Sequence, residues 1–164
     1  MTSSLPSVAH EHHERLMHGV DRMPALGDAI LVAKPADLKT PIAEMDAFLS
    51  GTLVPHLEAA EATLYPELER MMQNRHSMSP MKREHEEIRK LVTDFHTVGQ
   101  ELVALAPSLA RSLALRRVVF RLYALLKVHL AEEELYVGVV NKGVTQEAAD
   151  LLAAALKHPL ADPA

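Results

Sequence analysis

The sequence predicts an all-α protein, an up-down four-helix bundle followed by a short C-terminal helix. Apolar residues recur at helical spacing through most of the chain, and no window alternates with a period of two for long. Start signals that contain proline or serine divide this pattern into four long segments with short connectors. The 164 residues, 48% hydrophobic and 24% charged, suit one globular domain. We therefore expect a bundle over residues 7–143 and a short helix and tail over residues 144–164.

The first two predicted helices both contain prolines. The first runs over residues 7–32, and Pro24 is expected to kink it because proline lacks the backbone N–H that a helix interior needs. The second begins at Thr40-Pro41, an N-cap residue followed by proline at the first helical position, and extends to about residue 73. Two later prolines are expected to bend the second helix without ending it, because the apolar pattern resumes after each: Pro55 and Pro66.

The remaining helices follow from similar signals. Ser79-Pro80 repeats the start signal and opens a third helix. Ser108 caps a fourth, which reaches about residue 140 before Gly143 stops it. Thr145 starts the short last helix. Four long helices with short connectors pack most economically as a bundle, and bundles build ligand sites from side chains on facing helices.

Composition excludes several classes of protein. The chain has no cysteine, so it has no disulfide, thiolate metal site or cysteine nucleophile. Its 17 Lys and Arg are scattered and outnumbered by 22 Asp and Glu, which argues against a nucleic-acid partner. No stretch approaches the length of a membrane span, and the N-terminus has no signal-peptide pattern. We therefore expect a cytoplasmic protein with no membrane partner.

The chain contains ten histidines but only three tyrosines and three phenylalanines. A single histidine on an apolar face is more often a hydrogen-bonded core residue than a metal ligand. Here, however, each long helix carries one on or beside its apolar stripe, and burying so many ionisable groups is costly unless a cation compensates them. The four are evenly arranged along the chain, since the third follows the first by 72 residues and the fourth follows the second by 73: His13, His56, His85 and His129.

On the first helix, two neighbouring histidines are alternatives. His13 stands three and seven residues before Leu16 and Val20, so it shares a flank with both. The corresponding neighbours of His12 are Arg15 and a glycine, but His12 gives the more regular repeat with the third helix. We prefer His13 and keep His12 open.

Carboxylates accompany two of these histidines. Glu133 lies one turn after His129 on the same apolar face, and the adjacent Glu134 is the alternative. The second-helix histidine has Ala60 at the i+4 position, so its carboxylate partner has to come from i+5, which is Glu61.

Four imidazoles and two carboxylates without a thiolate suit iron or manganese and also accept zinc. Carboxylates shared between helices favour a two-metal site. Six side chains leave open positions on two ions, where water, dioxygen, peroxide or nitric oxide can bind. Two other hypotheses remain: passive iron handling, and a metal-free helical interaction module whose histidines are only hydrogen-bonded.

These elements, in this order and spacing, resemble the hemerythrin-like, or HHE cation-binding, family. The resemblance covers residues 8–140. It is carried by Glu11-His12-His13, by His56 with Glu61-Ala62-Thr63-Leu64-Tyr65-Pro66, by Glu84-His85-Glu86-Glu87-Ile88, and by His129 with Glu132-Glu133-Glu134-Leu135-Tyr136.

The resemblance implies a bundle around two non-haem iron ions, bridged by carboxylates and an oxo or hydroxo group. Two departures qualify it. Met81 stands where oxygen-carrying members have a fifth histidine, so reversible oxygen storage is not expected. Ala60 stands where the family usually has its second-helix glutamate. Nothing in the sequence supplies a second substrate pocket or a nucleophile, so the sequence alone does not make the protein an enzyme. The ligands implied are His13, His56, His85 and His129 through imidazole, and Glu61 and Glu133 as bridges.

Overall fold

A computed structural model describes the backbone of residues 5–143 and the side chains of residues 13–138, and within this range every regular element is helical. The all-α prediction is thus confirmed. In the same range, no helix has both the length and the apolarity needed to cross a bilayer. The α-helices are α1 (Leu5–Val20), α2 (Met23–Val32), α3 (Pro35–Phe48), α4 (Val54–Ala59), α5 (Tyr65–Met71), α6 (Ser79–Ala104) and α7 (Leu109–Gly143).

The predicted first helix is two helices rather than one kinked helix. Its break follows from Pro24, which lies in the first turn of α2. Proline inside a helix clashes with the carbonyl four residues earlier, and that residue is Val20, where α1 ends. Residues 21 and 22 form a turn, and proline is then tolerated because the first N–H groups of a helix need no partner.

The predicted start of the second helix at Thr40-Pro41 is wrong. The helix α3 begins at Pro35, after Lys34 in extended conformation, and Pro41 lies inside it. Pro35 supplies the same first-turn proline signal earlier in the chain. The hydrogen bond lost at Pro41 is offset by burial of Leu38 and Ile42 on the same helix.

Helical structure continues past the other two prolines, as predicted. Two five-residue π-helical segments, Leu49–Leu53 and Ala60–Leu64, join α3 to α4 and α4 to α5. Pro55 and Pro66 each lie in the first turn after one of these segments. A π-helical turn is wider than an α-helical turn, so it takes the proline ring without breaking the helix.

The third and fourth helices match the predictions closely. The helix α6 begins at Ser79, and α7 follows Ser108, whose Oγ accepts a long hydrogen bond of 3.5 Å from the backbone N–H of Arg111. The predicted C-terminal helix lies outside the described residues. Helix α7 packs against α1, α2 and α6, and α3 packs against α6. The up-down order of the helices stays a prediction.

The core has two unequal apolar clusters. The larger contains Leu57, Ile88 and Leu130 among many others, and the smaller contains Met81 and Val137. On α6 and α7 the members of the two clusters lie on either side of a buried polar layer, because His85 on α6 and Glu133 on α7 occupy positions between them. The two clusters therefore enclose a layer of ionisable side chains inside the bundle.

Candidate metal centre

Five ionisable side chains from four parts of the bundle are buried in this layer. His13 is 6% exposed, and the other four are completely buried. Ionisable groups are rarely buried so fully unless they are paired or bind a metal. They come from α1 (His13), α4 (His56), α6 (His85) and α7 (His129 and Glu133).

The four imidazoles point their Nε2 atoms inward. Oε2 of Glu133 lies 2.8 Å from Nε2 of His56 and 3.2 Å from Nε2 of His13. Across the site, Nε2 of His85 lies 3.1 Å from Nε2 of His129. These contacts form two groups of three residues whose ligand atoms lie within 4.8 Å of one another, and Glu133 belongs to both: His13, His56 and Glu133; His85, His129 and Glu133.

Carboxylates hold the outer nitrogens of three of these rings. Each accepts a hydrogen bond from an Nδ1–H, at a distance typical of a charge-assisted bond. Such outer partners fix the tautomer and orientation of histidines that bind metals. The pairs are His13 with Glu134 (2.6 Å), His85 with Glu61 (2.7 Å) and His129 with Glu84 (2.9 Å).

This hydrogen bonding leaves lone pairs facing one another at the centre. A neutral imidazole has one hydrogen, and where Nδ1 donates it to a carboxylate, Nε2 carries a lone pair. The Nε2 atoms of His85 and His129 lie only 3.1 Å apart, so with both rings neutral and hydrogen on Nδ1 their two lone pairs would face and repel one another. A cation between them removes the repulsion, and the spacing suits two nitrogens on one ion at about 2.0–2.1 Å each.

One oxygen of Glu133 supports the same interpretation. Within the described part of the chain, buried Oε1 of Glu133 has no hydrogen-bond partner. A buried carboxylate oxygen without a partner carries a desolvation penalty that a bound cation offsets. The residues present therefore fit a metal ion in each group.

Burial and neighbouring charges set the protonation of the site. Burial alone raises the pKa of Glu133, but the charges and hydrogen bonds of His56 and His13 outweigh it and hold that pKa well below its ordinary value. Burial, with the nearby His129, lowers the pKa of His85 to about 4. Burial also lowers the pKa of His13, but Glu133 and Glu134 outweigh it and raise that pKa overall. A carboxylate and a neutral imidazole are the forms that bind metals.

This protonation predicts a pH effect on the metal-free protein. The pKa of His85 falls from 6.5 to about 4 on folding, so between these values the unfolded chain binds more protons and acid destabilises the fold. In His85→Gln this contribution disappears, and the variant is expected to lose less stability from pH 6.5 to pH 4, by about 3 kcal/mol. The raised pKa of His13 has the opposite effect on stability, but His13 is present in both proteins, so its effect cancels in the comparison. Urea unfolding across this range measures the difference, and parallel curves would contradict it.

The structure places the sequence-predicted residues as follows. His13, His56, His85, His129 and Glu133 come together, whereas Glu61 does not join them. Its carboxylate binds the outer nitrogen of His85 and accepts a second hydrogen bond, of 3.0 Å, from Arg89. The geometry thus makes Glu61 a partner of a histidine rather than a member of either group.

The alternatives that the sequence left open have different outcomes. Glu133 faces the centre, while Glu134 lies on the outer side of His13. The side chain of His12 lies outside the described residues. Three histidines outside the predicted ligand set are exposed: His18, His76 and His96.

Two residues at the site are not among the ligands predicted from the sequence, although both lie in the sequence elements that carry the family resemblance. Glu84 reaches His129 on another helix, and no spacing within α6 indicates this contact. Tyr65 is completely buried, and its hydroxyl donates to Nε2 of His85 at 2.9 Å. Burial, followed by the negative charge of Glu133, raises the pKa of Tyr65, so the metal-free phenol keeps its proton. The Tyr65-Pro66 pair, nine residues after His56, is the sequence signal for this tyrosine.

The fold and the site together define a helical bundle with an internal histidine–carboxylate centre for cations. A protein-family comparison agrees: the model of the hemerythrin HHE cation-binding domain matches residues 6–140. The chain belongs to this family. Neither the comparison with curated proteins nor that with solved structures gave a match.

Proposed function

We propose that this chain binds two iron ions and uses them to bind, sense or react with a small oxidant. The observation that carries the proposal is the position of Glu133, which belongs to two groups of two histidines at once. A carboxylate so placed can bridge two ions, as in other bundle-type di-metal proteins. Family membership supports a bound cation in this layer.

The donor set favours particular metals. Four imidazole nitrogens and carboxylate oxygen, with no sulfur, suit iron or manganese and also accept zinc. His13 and His56 would hold one ion, His85 and His129 the other, and Glu133 both. Bound iron supplies reversible one-electron chemistry and coordination positions open to dioxygen, peroxide or nitric oxide.

Neighbouring residues hold the histidines of the site in place before a metal ion binds. Glu134, Glu61 and Glu84 orient three of the rings, so little reorganisation is needed when a cation enters. The two apolar clusters on either side of the layer exclude bulk water and strengthen electrostatic interactions inside it.

A cleft gives small molecules a route to the layer. It lies between α1 and α7, has a volume of about 570 Å³, and is lined by His13 and Glu134 among others. His13 is also the one member of the layer that is not completely buried. We propose that an oxidant approaches from this side.

Optical spectroscopy of the iron-loaded protein tests the proposal. Addition of hydrogen peroxide or of nitric oxide is expected to change the near-UV and visible absorption, because a new ligand on iron alters its charge-transfer bands. The matched control is the same protein loaded with zinc, which has no redox chemistry and is expected to show no change. An iron-loaded spectrum that stays unchanged with both reagents would contradict reaction with an oxidant and favour passive metal binding.

A further inference from the structure

The hydroxyl of Tyr65 points into the layer at the place where a metal would lie. Its Oη is 2.9 Å from Nε2 of His85, and that nitrogen is 3.1 Å from Nε2 of His129. The outer nitrogens of both rings face carboxylates, so both Nε2 lone pairs are directed at the centre. The phenol oxygen of Tyr65 therefore lies close to the ligand atoms of the group His85, His129 and Glu133.

The route of the chain explains how a tyrosine reaches this point. The second π-helical segment ends directly before Tyr65, whose backbone N–H donates to the carbonyl of Ala60. This bond joins residues five apart, so Tyr65 lies one wide turn beyond Ala60. Both residues are buried and belong to the smaller apolar cluster. The side chain of Ala60 itself has no atom that can bind a metal.

The number of donors also leaves a place for the phenol. His85, His129 and Glu133 supply three ligand atoms, whereas iron and zinc sites use four or more ligands. The carboxylate of Glu61 is turned away from the centre to the outer side of His85. Within the described residues, the hydroxyl of Tyr65 is the only oxygen that forms a hydrogen bond with Nε2 of His85 or of His129.

We propose that Tyr65 is a ligand to the ion held by His85, His129 and Glu133, a role that rests on the proposed metal binding. When the ion enters, the O–H bond of the phenol breaks, an oxygen–metal bond forms, and the proton leaves to solvent without any change in oxidation state. The ion thereby takes the place of the proton that Tyr65 now shares with His85.

Resonance Raman spectroscopy of the ferric protein tests this directly. A phenolate on iron(III) gives a visible charge-transfer band whose excitation enhances ring vibrations of tyrosine. The wild-type protein is expected to show these vibrations, and they are expected to shift when the protein is made with ring-deuterated tyrosine. Tyr65→Phe is expected to lose them, and to bind one of its two iron ions at least ~10-fold more weakly.

Tyr136→Phe is the matched control, because Tyr136 packs against the same apolar cluster. It is expected to keep both the vibrations and the iron. Iron-loaded wild-type protein without tyrosine vibrations, or equal loss in both variants, would overturn the role of Tyr65 and leave the proposed metal binding intact. Wild-type protein that takes up no iron would overturn both.

Discussion

Glu133→Gln is expected to reduce the metal content from two ions per chain to less than one. Glu133 is the one carboxylate in both groups of the described residues, so its loss removes a donor from each ion together with the negative charge at the centre. Glutamine has nearly the same volume, so the change tests charge and coordination rather than packing. Elemental analysis of the purified, untagged variant after expression with added iron measures the effect.

Glu132→Gln is the matched control for this change. Glu132 is adjacent on the same helix and exposed, and the substitution removes the same charge. This variant is expected to retain both ions. Equal metal contents in the two variants would mean that Glu133 does not bind the metals.

His129→Ala is expected to cause the second large loss of metal. The ring is completely buried, its Nε2 faces that of His85, and Glu84 holds its outer nitrogen. Alanine removes one of the two imidazole ligands in the group His85, His129 and Glu133 and leaves His85 as the only histidine there. The metal content is expected to fall by at least one ion per chain in the same elemental analysis.

The comparison for His129→Ala is His96→Ala. His96 is exposed, and its ring is hydrogen-bonded to Asp46 at 2.8 Å on the surface between α3 and α6. Its replacement is expected to leave the metal content unchanged. Equal losses in the two variants would show that the centre lies elsewhere in the bundle.

Much of the fold could be predicted because helical periodicity and proline signals are local. The start of α6 at Ser79 follows from its own sequence, and so does the continuation of helical structure past Pro55 and Pro66. The start at Pro41 was predicted wrongly because two prolines six residues apart give the same signal. Burial of Leu38 and Ile42 lets the helix continue through the second proline, and that burial depends on the neighbouring helices.

The inward histidines could be predicted for a similar reason. The position of His85 between Met81 and Ile88 on one apolar stripe is a property of a single helix, as is the step from His129 to Glu133. Spacing along one helix was enough to select these residues before any helix was placed beside another.

The outer partners could not be predicted in this way. Glu84 binds a ring on α7 rather than the adjacent His85, because its contact depends on how α6 and α7 are aligned. The position of Glu61 depends on the π-helical segment Ala60–Leu64, whose extra residue per turn changes which side chains share a face. Regular α-helical spacing places Glu61 on a different face of the helix from the one it has in the structure, and for that reason we predicted it as a ligand at the centre.

The central claim is that one carboxylate joins two metal ions between four histidines. The number of iron atoms bound per chain tests it most directly, measured on untagged wild-type protein after expression with added iron. The account predicts two atoms per chain. A content well below one atom of any metal per chain would contradict it and identify the buried histidines as hydrogen-bonded core residues.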